Sequence, residues 1–172
     1  MNNLTRLILK RKSVRRFTEC SLSEVQIQTL LKAAMAAPSA KNAQPWHFVV
    51  IQERAVLDRL AEQLPYAKML SSASLAIVVC GDTLVHTGES AQNWVVDCSA
   101  ATQNLLLVVE SMELGAVWTA CYPYAARMDA VREALALPDH IVPLNVIPIG
   151  APIGNEHPLD KWKPERIHYG KW

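Results

Sequence analysis

The chain has 172 residues, about half of them apolar, and a formal net charge of +1 at pH 7. A chain of this length buries roughly 70% of the surface that its unfolded form exposes, and so apolar a composition excludes a disordered chain. The near-neutral charge argues against a general electrostatic grip on nucleic acid or on a membrane surface, so any basic patch is local.

Leu4, Leu7 and Ile8 recur at helical spacing and predict a short amphipathic helix that runs into the basic cluster Arg11-Lys12-Ser13-Val14-Arg15-Arg16. Ser21-Leu22-Ser23-Glu24 fits a capping box, with Ser21 as N-cap and Glu24 at the third position. The helix that follows, about Ser23 to Ala36, has Val25, Ile27, Leu30, Leu31, Ala34 and Met35 as its apolar set and ends at Pro38. The segment from Pro38 to Pro45 is proline-bounded, small and polar, and is expected to hold neither helix nor strand. A buried strand is predicted from His47 to Ile51, a helix from Glu53 to Gln63, and a central strand from Leu75 to Cys80 that Gly81-Asp82 breaks.

Ala91 to Leu114 is the longest helical stretch, and its apolar residues wrap much of the circumference. Such a helix is buried on more than one side, either in the core or across a dimer interface. Asp97, Gln103, Asn104, Glu110 and Glu113 make it too polar to span a membrane. Gly115 suits its C-terminal exit. A short strand over Ala116 to Cys121, a helix over Met128 to Leu137 and an irregular-ended strand over Ile141 to Ile149 complete the predicted elements. The tail from Gly150 to Trp172 has aromatic residues but no core pattern, which favours docking on another surface. Neither repeat nor linker is apparent, so one domain is expected over 1–172. The alternation of elements allows an α/β or an α+β layering.

Four cysteines, Cys20, Cys80, Cys98 and Cys121, form no C-x-x-C pair and read as buried free thiols of a reducing compartment. The opening residues have no signal-peptide core, so the cytoplasm is expected. The five histidines give no metal constellation, and no Gly-rich phosphate loop or nucleophile elbow occurs.

Three segments could carry chemistry. Arg11-Lys12-Ser13-Val14-Arg15 offers guanidinium groups and a hydroxyl where a helix gives way to a turn, a set that binds a phosphate monoester or forms a solvated basic face. The loop from Pro38 to Trp46 is stiffened by two prolines; Ser39 and Asn42 could hydrogen-bond a heterocycle, or the loop is a plain connection with Trp46 in the core. Val117-Trp118-Thr119-Ala120 has small residues that let a flat ring approach the backbone, or it is an ordinary core strand. Asp97 reads as a paired structural carboxylate in preference to a catalytic base.

Together these segments resemble the nitroreductase family. Arg11-Lys12-Ser13-Val14-Arg15-Arg16-Phe17 resembles its N-terminal R-[RK]-S-x-R-x-[FY] motif, and Ala37-Pro38-Ser39-Ala40-Lys41-Asn42-Ala43-Gln44-Pro45-Trp46-His47-Phe48 its A-P-S-x-x-N-x-Q-P-W-x-F motif. Asp97, Ala100-Ala101, Gln103-Asn104-Leu105-Leu106, Gly115, Trp118, Gly150-Ala151-Pro152 and the ending Pro164-Glu165-Arg166-Ile167-His168-Tyr169 extend the similarity over nearly the whole chain.

The resemblance implies an α+β fold with a mostly antiparallel central sheet flanked by helices. It implies an intertwined homodimer in which the tail, about 154–172, wraps the partner subunit. The cofactor it implies is tightly bound FMN, with NAD(P)H as reductant and a nitroaromatic, quinone or related small molecule as electron acceptor, turned over by a ping-pong route. Arg11, Lys12, Ser13 and Arg15 then match the positions that hold the FMN phosphate, with Lys161, or its competitor Lys163, joining them from the tail. Pro38, Ser39, Ala40 and Asn42 match the loop that reaches FMN from the partner chain, and Trp118, Thr119 and Ala120 the segment along its ring. Ala120 stands where many members have Gly, and no side chain is assigned as a catalytic acid or base. The alternatives are a related flavoenzyme of another reaction, such as dehalogenation or dehydrogenation, and a non-enzymatic module whose basic turn grips RNA or a phosphorylated ligand.

Overall fold

The computed structural model describes residues 2–18 and 20–172; Met1 and Glu19 lie outside it. The helices are α1 (Asn3–Lys10), α2 (Glu24–Met35), α3 (Arg54–Gln63), α4 (Asn93–Ser111) and α5 (Ala125–Leu135). The strands are β1 (Phe17–Thr18), β2 (Trp46–Ile51), β3 (Leu75–Asp82), β4 (Gly115–Ala116), β5 (Thr119–Ala120) and β6 (Ile141–Pro152). They join one sheet in the order β1-β6-β3-β2, with β4 and β5 also paired to β6. Every pairing among the described residues is antiparallel. The architecture is the α+β one that the family resemblance implies.

The unbroken apolar run of β3 shows why the sheet is covered on both sides. Side chains alternate across a strand. Leu75, Ile77 and Val79 enter a core built with Leu30, Ala34, Cys98, Ala101 and Leu105 of α2 and α4. Ala76, Val78 and Cys80 enter a second core with Leu57 and Leu60 of α3 and Val131 of α5. The sheet is therefore the middle of three layers, and β6, buried from Pro143 to Gly150, is its axis.

Several boundaries differ from expectation for identifiable reasons. The capping box sits two residues later: Ser23 is the N-cap of α2, its backbone N–H donates to Gln26 Oε1 at 2.9 Å, and its Oγ accepts from the Gln26 N–H at 3.3 Å. The S-x-x-[EQ] pattern occurs twice in overlapping frames, and the later one leaves Leu22 buried just before the cap. Gly81-Asp82 does not break β3, which pairs through Asp82. Gly81 instead admits the Trp94 ring, since a Cβ there would stand 2.1 Å from Trp94 Cε3.

The strand expected over Ala116 to Cys121 is two short pieces, β4 and β5, that share one register on β6. That register sets Val117 opposite Pro148, which has no N–H to donate, so the ladder lapses there. Helix α5 begins a turn earlier than expected and ends at Ala136 in a left-handed conformation, φ 50°. The segment from Pro38 to Pro45, expected to lack any helix, holds one 3-10 turn, Ala40–Asn42.

Helix α4 is shorter than its apolar pattern and, within one chain, buries one stripe that includes Trp94, Cys98, Ala101, Leu105 and Val109. Val96, on the opposite face, stays 68% exposed. No helix among the described residues is long and apolar enough to cross a membrane.

Cys80, Cys98 and Cys121 are buried and free, and Cys20 is half-buried. Burial pushes the three buried thiols up from 9.0 to about 12. The folded state thus resists their ionisation. Their contribution to stability is complete below pH 9 and is lost as the pH rises towards 12. A thiol reagent at about pH 8 should label Cys20 in the native protein and the other three only after unfolding. Rapid native labelling of all four would contradict the packing.

Candidate functional site

The cationic turn grows out of the C-terminus of α1. Arg11 caps that helix, its backbone N–H donating to Leu7 O at 3.1 Å, and leaves it in extended geometry. Val14 then anchors the turn. It is 1% exposed, and its N–H donates to Ala116 O at 2.9 Å. Its side chain lies so close over Gly115 that a Cβ there would meet Val14 Cγ1 at 2.6 Å. With Val14 turned inward, Arg15 is exposed and Ser13 half-exposed. The chain continues into β1, where Phe17 pairs with Pro152 and the tail leaves the sheet beside it.

Arg11, Lys12, Ser13 and Arg15 line one cavity of about 300 Å³, together with Glu156, His157, Leu159 and Lys161 of the tail. The cations differ in what they already hold. Lys12 Nζ donates to the buried Glu110 Oε1 of α4 at 3.0 Å, so its charge is largely spent on the fold. Arg16 approaches Glu156 at 3.8 Å and does not line the cavity. Among the described residues, Arg11, Arg15 and Lys161 have no carboxylate within 4.0 Å. Three unmatched cations and a hydroxyl around one cavity are the donor set for a phosphate dianion. Lys161 lines this cavity and Lys163 does not.

The proline-bounded loop is built at a second place. Ala40 N–H donates to Asp97 Oδ1 at 3.0 Å, while Asp97 Oδ2 lies 2.9 Å from His86 Nε2. Asp97 and His86 are both buried, so α4 clamps the loop through a fully paired carboxylate. Asp97 is thus the structural acid that its sequence context suggested. Ser39 Oγ accepts from Gln44 N–H at 3.0 Å. Lys41, Asn42 and Gln44 hold φ of 55°, 53° and 50°, a left-handed run that non-glycine residues adopt only when their surroundings impose it.

Pro38, Ser39 and Ala40 line a cavity of about 350 Å³ with Asn93, Val96, Asp97 and Ala100. Asp97→Ala should cost about 2–3 kcal/mol in urea unfolding, because it orphans the Ala40 N–H and the His86 ring together. Asp97→Asn, which keeps an acceptor, should cost less. Equal midpoints for Asp97→Ala and the parent would dismiss the clamp.

The third segment lies on the sheet. Thr119 is buried with its hydroxyl donating to Val146 O, Trp118 is half-buried against the core, and Ala120 O accepts from Arg127 Nη1 at 3.1 Å. Trp118, Thr119, Ala120 and Asn42 line neither cavity, and the two cavities share no residue within one chain. Trp46 is buried, as its role in the core connection predicts.

Sequence reasoning missed Glu110, His86 and Glu156. Glu110 and Glu156 meet partners at distant chain positions, and His86 meets Asp97 eleven residues on, so no helical or strand spacing announces them.

A family model described as the Nitroreductase family matches residues 8–70 and 61–151. A protein of Archaeoglobus fulgidus, provisionally described as an NADH dehydrogenase/NAD(P)H nitroreductase, is 41% identical over 175 residues that cover all of both chains. The crystal structure of a Parabacteroides distasonis protein with the same provisional description is 49% identical, covers all of both chains and superposes with a TM-score of 0.95. A Desulfovibrio desulfuricans protein provisionally described as a nitroreductase, solved in complex with FMN, is 26% identical, with a TM-score of 0.84 over 100% of this chain and 99% of that one.

Proposed function

The chain belongs to the nitroreductase family and is an oxidoreductase, and from that premise we propose that it is a cytoplasmic homodimer that binds FMN and uses NAD(P)H to reduce nitroaromatics, quinones or related small acceptors in a ping-pong cycle. The observation that carries this reading is the cavity where Arg11, Ser13, Arg15 and Lys161 converge with no carboxylate on any of the three cations. The donor set fits a phosphate monoester. The free thiols suit the reducing compartment.

FMN, held by these residues, would supply the redox chemistry that links nicotinamide oxidation to acceptor reduction. The protein supplies position and charge. Arg11, Ser13, Arg15 and Lys161 hold the phosphate, and Lys12, committed to Glu110, holds the turn against α4. Trp118, Thr119 and Ala120 lie along the ring, where backbone N–H groups favour negative charge on the heterocycle. Pro38, Ser39, Ala40 and Asn42 come from the second chain and close over the ring edge, kept rigid by Asp97.

The whole of 1–172 is one domain, with the tail 154–172 laid over its partner. Leu159, Ile167, Tyr169, Trp162 and Trp172 are exposed on a single chain, and the uncovered Val96 side of α4 offers a matching apolar face.

The purified protein should be yellow, bleach under reductant, and oxidise NAD(P)H when a nitroaromatic or quinone is added. A colourless protein that takes up no added FMN would refute the proposal.

A further inference from the structure

Arg127 is a half-buried cation that the proposed function leaves unused. It stands in the first turn of α5, where the helix dipole disfavours a positive charge. Among the described residues no carboxylate lies within 4.0 Å of it. The fold nevertheless holds it firmly. Its guanidinium carbon lies 3.8 Å from the Tyr124 ring centroid and 5.3 Å from that of Tyr66, and its Nη1 donates to Ala120 O at 3.1 Å. One N–H of the five is spent on that carbonyl. The two tyrosine rings are 51% and 73% exposed, so flat apolar faces flank the cation at the surface.

We propose that Arg127, fixed between Tyr66 and Tyr124 beside Ala120, selects planar aromatic electron acceptors that carry a carboxylate. The proposal rests on the reading that Trp118–Ala120 lies along the flavin. A guanidinium fork meets a carboxylate through two parallel N–H bonds, and a charge held between rings and a carbonyl loses little freedom on doing so. The exposed tyrosine faces then accept the ring of the ligand. Arg127 is a specificity residue here, because the charge it recognises is remote from the reducible group.

The test compares 4-nitrobenzoate with its neutral near-isostere 4-nitrobenzamide in the FMN-loaded protein. The parent should prefer the benzoate in kcat/KM, and Arg127→Gln should lower that preference about tenfold, as for a partly exposed charge-assisted pair, while Arg127→Lys should keep part of it. A second measurement needs neither turnover nor a variant. Benzoate binding, followed by the perturbation of flavin absorbance in the oxidised parent, should weaken as salt is raised, and benzamide binding should not. A flavin-loaded parent with no benzoate preference, or with benzoate binding indifferent to salt, overturns the proposal alone. A parent that takes up no FMN overturns it together with the reading beneath it.

Discussion

Arg11→Ala should weaken FMN binding by about 2 kcal/mol, roughly 30-fold in Kd, with little change in folding stability. The asymmetry follows from what the side chain touches. Arg11 caps α1 through its backbone, which alanine retains, and its guanidinium has no carboxylate partner among the described residues, so no buried charge is orphaned. Its neighbour gives the opposite result. Lys12→Ala strips the 3.0 Å partner from Glu110, a carboxylate only 6% exposed, and leaves Lys10 at 4.0 Å as a distant substitute. That variant should lose on the order of 2–3 kcal/mol of stability. Flavin titration and urea unfolding of both variants separate the roles. An Arg11→Ala protein with unchanged flavin affinity would remove the phosphate assignment, and a Lys12→Ala protein as stable as the parent would remove the Lys12–Glu110 tether.

Deleting 154–172 should convert the proposed dimer to a folded monomer that no longer retains FMN. Strand β6 ends at Pro152, so the deletion spares the sheet and all five helices. From Asn155 onward no residue is buried by its own chain, and Leu159, Trp162, Tyr169 and Trp172 are 70% exposed or more. At roughly 25 cal/mol per Å² of apolar surface, several such side chains contribute a large share of a dimer's stability when a second chain covers them. The same deletion removes Lys161 and the tail wall of the cavity beside the basic turn, the proposed phosphate site. Sedimentation should show the monomer, and circular dichroism a retained fold. A truncated chain that still sediments as a tight dimer would contradict tail docking.

The legible parts of this protein were those in which one segment carries its own signal. The run Leu75 to Cys80 and the helical spacing around Leu30 and Leu105 each declare a local conformation, and the structure places them accordingly, whereas the proline-bounded loop holds a 3-10 turn that its composition does not announce. Signals that depend on a partner strand were misread. Gly81 marks the close approach of Trp94, thirteen residues on, and Pro148 splits a strand that lies some thirty residues before it. At the site, the basic turn and the loop were evident as motifs. Their neighbours Glu110, His86 and Glu156 were not, because a side-chain contact beyond one or two helical turns leaves no periodicity. Arg127 was invisible for a related reason: Tyr66 comes from a separate part of the chain, and no helical or strand spacing links it to Ala120.

Strand β6 carries a consequence for biosynthesis. Among the described strands it is the last made, yet β3, β5, β4 and β1 all pair with it, and the only strand partner of Phe17 among the described residues is Pro152. During translation Phe17 and Thr18 therefore have no ladder to join until almost the entire polypeptide has emerged, and such long-range closure is slow. A nascent chain stalled before residue 141 should therefore hold no cofactor, and one found to carry flavin would contradict this order of events.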